Sequence, residues 1–514
     1  MKKTTRVFWV ALVVSILFII WGVVPKDVLP NGNLQHVTNV IQTSIIEKFG
    51  WFYLLSATGF LVFSLTMIFT RYGNIKLGKD KDEPEFGILT WFAMLFSAGM
   101  GIGLVFWGVA EPLSHYYDPP AGKGQTTEAA KLAVRYSFFH WGLHPWGIYA
   151  VIGLILAYFN FRRDTPGVVS QILKPIFGDR VNGPLGVLFD FIAIFATVFG
   201  VATSLGFGAT QISGGVSYLF PAIHNTFTTQ LIIIIIVTFF YMLSASTGLE
   251  KGIAFLSNAN ILLAILLMLF LLFAGPTNFI MDLFTTTLGG YLQNLVSMSF
   301  RLSPFEQNTW VQDWTIFYWA WWIAWAPFVG TFIARVSKGR TIREFIIGVL
   351  LVPTLFGALW FSVFGGSAVW LEFFKHAGIN EIVNNRGQEI ALFTVLSQFP
   401  LGTIMSYIAI FLIGTFFITS ADSATFVLGM QSTGGSLNPP NRVKLTWGVI
   451  QSASAAVLLW AGGLEALQTA SIIAAFPFTI IMILMIFSLV KSLKVEKKVF
   501  REKLIRRIKE ATEE

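Results

Sequence analysis

The chain has no cysteine. A disulfide framework, a thiol nucleophile and a cysteine-ligated metal site are therefore excluded. Charge is scarce as well: 12% of residues are charged, where a soluble globular chain carries about 25%. No phosphate-cradling P-loop pattern occurs, so ATP does not energise any process from within this chain. The GxSxG and HExxH signatures of hydrolases are missing too. There is no low-complexity tract and no tandem repeat. What remains is apolar. Of the 514 residues 55% are hydrophobic, and the apolar stretches follow one another closely enough to make one membrane domain. With no nucleotide chemistry, work done by such a chain draws on an ion gradient or on exchange.

A crossing of the hydrocarbon core takes about 20 apolar residues. Twelve such spans are expected, near 8–25, 50–70, 87–108, 137–159, 186–206, 229–246, 253–275, 314–334, 344–366, 404–424, 444–462 and 467–490. The basic start MKKTTR resembles a signal peptide, but no small-residue cleavage site follows, so the first span reads as a retained helix. With the N-terminus inside, 27 of the 35 Lys and Arg residues fall on the inner side and 8 on the outer. That bias predicts a multi-pass protein of the cell (plasma or inner) membrane with both termini cytoplasmic. It also accounts for the net charge of +8 without nucleic acid.

Two segments outside the spans are amphipathic. Residues 280–300 mix apolar and hydroxyl side chains and read as a surface helix, lying on the membrane or against a partner subunit. Residues 491–514 alternate basic and apolar side chains and read as a cytoplasmic helix. Positive-inside anchoring explains it most simply; a sensor that binds anionic lipid headgroups is the functional alternative.

Four motifs stand out from a membrane-spanning background. In SAGMGIGLVFWG, Gly99 and Gly103 have the spacing of close helix packing, but Gly101 is surplus to it. Glycines this dense weaken a helix by about 1 kcal/mol each, and a break would expose backbone groups that survive only beside a cavity or ligand. In HWGLHPWGIYA, Pro145 is expected to kink the helix, flanked by Trp141, Trp146 and Tyr149. His140 and His144 stand one turn apart, but no nearby carboxylate completes a ligand set. In GTFFITSADSATFVLG, Thr419, Ser420 and Ser423 surround Asp422, hard oxygens of the kind an alkali cation takes, although such hydroxyls commonly bond back to the i−4 carbonyl. Asp190 in the fifth span, like Asp422, is either functional or a partner for backbone donors.

The fourth motif is WTIFYWAWWIAWAPF. On a helix, Trp314, Tyr318, Trp321, Trp322 and Trp325 share one face. Crossing a membrane requires no such stripe. A stack of π faces suits a cation too alkylated to hydrogen-bond.

Together these stretches closely resemble the betaine–choline–carnitine transporter family. The match is carried by GMGIG at 99–103, FHWGLHPWGIYA at 139–150, SNAN at 257–260, TIFYWAWWIAWAPFVG at 315–330, REFIIGVLLVP at 343–353 and GTFFITSADSA at 414–424. The resemblance implies an all-α polytopic membrane protein of twelve helices with an inverted-repeat, LeuT-like core of two five-helix repeats. Residues 1–86 would hold the tail and two accessory helices, 87–275 the first repeat, 276–313 the outer amphipathic helix and loop, 314–490 the second repeat and 491–514 the basic tail helix. Members are homotrimers, with the helix matching 280–300 at the subunit contacts.

By the same resemblance, Trp141, Trp146 and Tyr149 line one wall of a substrate site and Trp321, Trp322 and Trp325 the other. The amides of the Gly99, Gly101 and Gly103 segment would face a substrate carboxylate. Sodium, the coupling ion and the one inorganic partner implied, would be held by Ser97, Met100, Phe416, Thr419 and Ser420. A second sodium would sit at Thr197 and Phe328, though this chain has Val201 where betaine members have another threonine. Choline carriers of the family tend to carry an acidic residue in the glycine segment. Its absence here favours a zwitterionic trimethylammonium compound, glycine betaine, taken up with sodium for osmoprotection. The rivals are a proton-coupled choline carrier, a sodium-independent carnitine exchanger and, outside transport, a membrane osmosensor. A channel would show a repeated pore element or a charged ring.

Overall fold

A computed structural model describes residues 5–25, 27–99, 101–247, 250–305 and 308–513, with side chains for all of these but 96, 98–99, 247, 250–254 and 497–513. Every regular element among them is helical; the one β-bridge joins Lys76 to Thr341. Helices are the expected outcome for apolar segments, since in lipid each backbone N–H and C=O must be satisfied within the segment.

The chain opens with α1 (Arg6–Val23), started by the Thr5 hydroxyl accepting from Phe8 N–H, and α2 (Leu34–Phe69), started in the same way by Asn33. Then come α3 (Ile88–Gly99), α4 (Ile102–Tyr117), α5 (Thr127–Trp141) and α6 (Leu143–Ala157). Two short helices, α7 (Val169–Ile172) and α8 (Lys174–Phe177), lead to the 36-residue α9 (Pro184–Leu219). They are followed by α10 (Phe227–Thr247), α11 (Glu250–Ala274) and α12 (Thr277–Ser299). A π-helical turn at Val311–Ile316 runs into α13 (Phe317–Val336), and α14 (Ile342–Lys375) begins with a capping box between Thr341 and Glu344. Two small helices, α15 (Ile379–Arg386) and α16 (Ala391–Leu396), precede α17 (Gly402–Ser432) and α18 (Asn441–Glu513).

Among the described residues ten helical segments are long and apolar enough to cross a membrane, where the sequence predicts twelve spans. The difference has two physical causes. The third expected span is divided into α3 and α4, neither long enough alone. The last two expected spans run together as α18, which bends at Gly462 and Gly463; Gly463 takes φ +65°, which a side chain would resist. The amphipathic segment expected at 280–300 is α12, in nearly the same register.

Burial separates centre from periphery. The segment Thr127–Arg162, containing α5 and α6, is 94% buried in its apolar window, whereas α10 is 17% buried. α9 packs on α17 and α18, and α6 on α13, so these form the core. The side chains that α10 and α11 turn outward, such as Phe239 and Leu262, are exposed apolar groups suited to lipid.

Candidate functional site

The glycine segment breaks the third span. α3 stops at Gly99, Gly101 is extended (φ −168°, ψ −179°), and α4 starts at Ile102. The first intrahelical bond of α4 runs from Val105 N–H to Gly101 O at 3.4 Å, so the N–H groups of the turn before it lack helical acceptors. A Cβ added at Gly101 would meet no described atom within 4 Å, so the chain borders open space there. Gly103 has the opposite surroundings. Its Cβ would stand 2.3 Å from Trp321 Cη2 and 3.2 Å from Trp141 Cη2. Two indoles from different helices thus press on the first turn of α4.

Those indoles belong to a continuous group of rings. Trp141 meets Trp322 edge to face, with centroids 4.9 Å apart, and Trp321 at 6.1 Å. Trp321 and Trp322 stack at 5.5 Å. Tyr149 stands at right angles to Trp322 at 5.6 Å, and Trp146 contacts Tyr149 at 5.5 Å. The Tyr149 hydroxyl is buried without a hydrogen-bond partner, a costly condition that a polar ligand would relieve. Trp325 lies apart from this group. Its N–H bonds Gly200 O of α9, and its ring contacts Phe328 at 5.2 Å. Trp314, expected on the same stripe, turns to Trp107 and His115, and Trp319 stacks on His144. The π-helical turn at 311–316 shifts the register that an ideal helix gives Trp314.

The kink expected at Pro145 is located at Gly142, where α5 ends and α6 begins. Pro145 sits in the first turn of α6, where its missing N–H costs no helical bond. The break parts the two histidines. His144 Nε2 pairs with Ser299 Oγ of α12 at 3.0 Å, while His140 turns inward. The expectation that no carboxylate stands near them is also corrected. Glu111 Oε1 lies 2.7 Å from His140 Nδ1 and 3.2 Å from His115 Nε2. Sequence reasoning missed Glu111 because it ended the third span at Gly108, and α4 continues to Tyr117.

The expected cation ligands are placed more loosely. Ser97 is half-buried two residues before the end of α3, and Met100 lies outside the described residues. Thr419 is buried and donates to Thr415 O at 3.0 Å, with Phe416 O at 3.3 Å; it accepts from Asn260 Nδ2 at 3.2 Å. Ser420 beside it is half-buried. Gly208 of α9 has Ile102 and Phe417 against it, so the start of α4 and the middle of α17 meet at one point. At the other expected position, Thr197 bonds back to Ala193 O at 2.8 Å. A cavity of about 20 Å³, room for roughly one water, is lined by Ala193, Pro327, Asp190 and Gln431; Thr197 and Phe328 are not among its lining residues, although Thr197 Oγ1 reaches Gln431 Oε1 at 3.5 Å. Asp190 takes the structural role: it accepts from Ser170 N–H at 2.8 Å and Ser170 Oγ at 2.7 Å, tying down α7. Asp422 Oδ1 is buried without a partner.

A multi-pass bundle of apolar helices, interrupted at its centre beside a group of buried indoles, has the build of a membrane carrier. The chain belongs to the betaine/carnitine/choline family of transporters, whose family model matches residues 6–498, and it is a transporter rather than an enzyme. It is 56% identical over 501 residues to the glycine betaine transporter OpuD of Bacillus subtilis, covering 97% of this chain and 96% of that one. It is 45% identical over 515 residues to an ectoine/hydroxyectoine transporter of Virgibacillus pantothenticus (98% and 100% covered). A glycine betaine transporter of Acinetobacter baylyi is 43% identical over 485 residues (94% and 73% covered).

Proposed function

We propose that this protein takes up glycine betaine across the cell membrane together with sodium, for osmoprotection. The observation that carries this reading is the convergence of Trp141 and Trp321 on Gly103, with Trp322 against both rings, next to an opened turn of backbone. A trimethylammonium group has no N–H to donate, so it is recognised by ring faces, each worth about 2 kcal/mol when desolvated. Trp146 and Tyr149 extend one wall, and Trp325, which stands apart from the other rings against Gly200 O, is assigned to the far end of the other. The carboxylate of the same substrate lies toward the free N–H groups at the start of α4, where an anion is favoured by the helix dipole. The names of the Bacillus and Acinetobacter relatives agree with a betaine substrate.

Sodium is assigned to Ser97, Met100, Phe416, Thr419 and Ser420, joining the broken span to α17. Bound there, it would supply fixed positive charge between two helices; this chain's part is to present backbone and hydroxyl oxygens. The observation that fits is that the start of α4 and the middle of α17 meet at Gly208. A second sodium belongs with Thr197 and Phe328. Reading the broken third span as one crossing and the bent α18 as two gives twelve crossings, arranged as two inverted repeats with cytoplasmic termini. The α12 helix is assigned to contacts within a homotrimer, and the basic tail to anionic lipid.

Uptake of labelled glycine betaine into proteoliposomes under an imposed sodium gradient, at varied external osmolality, tests the reading. Accumulation that needs sodium and yields to excess unlabelled betaine supports it; sodium-independent exchange, or no uptake, overturns it. The Virgibacillus relative makes ectoine a second candidate substrate. Competition by ectoine as strong as that by betaine would favour it.

A further inference from the structure

We infer that Glu111 is the positioning residue of the aromatic site. It holds Trp141 of α5 and Tyr318 of α13 in register through one buried carboxylate. The inference rests on the proposed reading of those rings as the substrate site.

Glu111 is 0% exposed. Four donors surround it. His140 Nδ1 (2.7 Å) and His115 Nε2 (3.2 Å) face Oε1. Trp141 Nε1–H (2.8 Å) and Tyr318 Oη–H (2.6 Å) face Oε2. A carboxylate offers about four lone-pair positions and no donor, so it is the side chain that matches four inward donors. A carboxylate only accepts, so the proton between Glu111 and His140 is carried on Nδ1, and His140 Nε2 lies 2.9 Å from Thr315 Oγ1. His115 then holds its proton on Nε2, facing Glu111. Glu111, His115 and His140 carry metal-ligand chemistry, but each facing histidine nitrogen is occupied by the carboxylate. A separation of 2.7 Å is a hydrogen bond, not the span between two ligands of one ion.

The network reaches a third ring. Trp322 Nε1–H donates to the carbonyl of His140 at 3.0 Å. One carboxylate on α4 therefore fixes the end of α5 directly and α13 at two points, Tyr318 and Trp322. These are the helices that supply the opposed walls. Tyr318 also stands 5.7 Å from Trp141 and 6.2 Å from Trp321. Donating to a carboxylate has an electronic consequence as well. An indole N–H or phenol O–H bonded to an anion gains electron density in its ring, and a more electron-rich face attracts a cation more strongly.

Glutamine has nearly the same volume, but its amide N–H₂ would confront two of the four donors. Glu111→Gln should raise the KM for glycine betaine about tenfold while the maximal rate stays within threefold. Tyr318→Phe should raise KM by a smaller factor in an otherwise intact network. Adding Tyr318→Phe to Glu111→Gln should then raise KM less than twofold further, because the acceptor is already lost. Independent, multiplying effects would overturn the inference, as would an unchanged KM in Glu111→Gln. If Glu111→Gln fails to reach the membrane, Tyr318→Phe decides alone, and an unchanged KM in it has the same consequence. Trp322→Leu is measured beside these variants. If it too leaves KM unchanged, the proposed site is wrong; if it raises KM while Glu111→Gln does not, the site stands and the role of Glu111 fails.

Discussion

Trp141 and Trp322 meet edge to face, with ring centroids 4.9 Å apart and planes 88° apart. They come from helices far apart in sequence, and Tyr149 adds a third ring at right angles to Trp322. On the proposed reading, perpendicular walls of this kind form the corner that receives a rounded, methylated cation.

Removing one wall is the direct test. Trp322→Leu keeps an apolar side chain but deletes the π face, worth about 2 kcal/mol when desolvated. The apparent KM for glycine betaine should rise at least tenfold, since each ~1.4 kcal/mol is a factor of ten. Trp325→Leu should do the same if its ring closes the wall. An unchanged KM in uptake assays removes that ring from the site.

Gly103 should tolerate no side chain. A methyl group there would sit 2.3 Å from the buried Trp321 ring, which is also tied to Ser204 Oγ by its N–H at 3.3 Å. Gly103→Ala should cut uptake at least tenfold with little change in protein level. Combining it with Trp321→Phe, which withdraws the colliding edge, should restore part of the rate. Wild-type uptake by Gly103→Ala would show that the rings have room to move.

Sodium dependence should depend on α17. Replacing Thr419 and Ser420 together by Ala removes both proposed hydroxyl ligands. Betaine uptake into vesicles should then lose its response to a sodium gradient. A retained sodium requirement would refute the assignment of the ion to these residues.

The α5–α6 break should need Tyr291. The N–H of Leu143, the first residue of α6, donates to Tyr291 Oη of α12 at 3.0 Å. Tyr291→Phe leaves that donor without a partner, at a cost of about 1–3 kcal/mol. Thermal unfolding of the detergent-solubilised protein should shift to lower Tm. An identical Tm would mean that the amide finds another acceptor.

Glu389, in the turn between α15 and α16, predicts a pH effect. Burial pushes its carboxyl above the ordinary value of 4.5, while a hydrogen bond from Asn225 at 2.6 Å opposes the shift. Such a group binds more protons folded than unfolded, so stability falls as pH rises from 4.5 through the raised value. Glu389→Gln should flatten that slope in Tm measured against pH. An unaltered slope would assign the dependence to other groups.

Much of this was legible in the chain itself. The broken third span follows from three crowded glycines, and the break is where they stand. Thr419 bonding back to Thr415 is the ordinary behaviour of a hydroxyl in a helix, and the sequence offered it as an alternative. Glu111 was not legible: a carboxylate followed by proline resembles the edge of a loop, and its four donors come from three helices. The separation of His140 from His144 was hidden too, because helical spacing fails across the break at Gly142.

Composition and periodicity by themselves determined that this is a polytopic helical membrane protein, where it weakens, and which stretch is richest in indole. These properties arise from neighbours along the chain, and chain neighbours are what a sequence records. The tertiary fold alone decided which rings touch, that Trp314 and Trp319 turn away, that Asp190 ties down a short helix, and that Glu111 joins two walls. Those outcomes depend on how distant helices pack and satisfy one another's buried polar groups, and no local pattern encodes that.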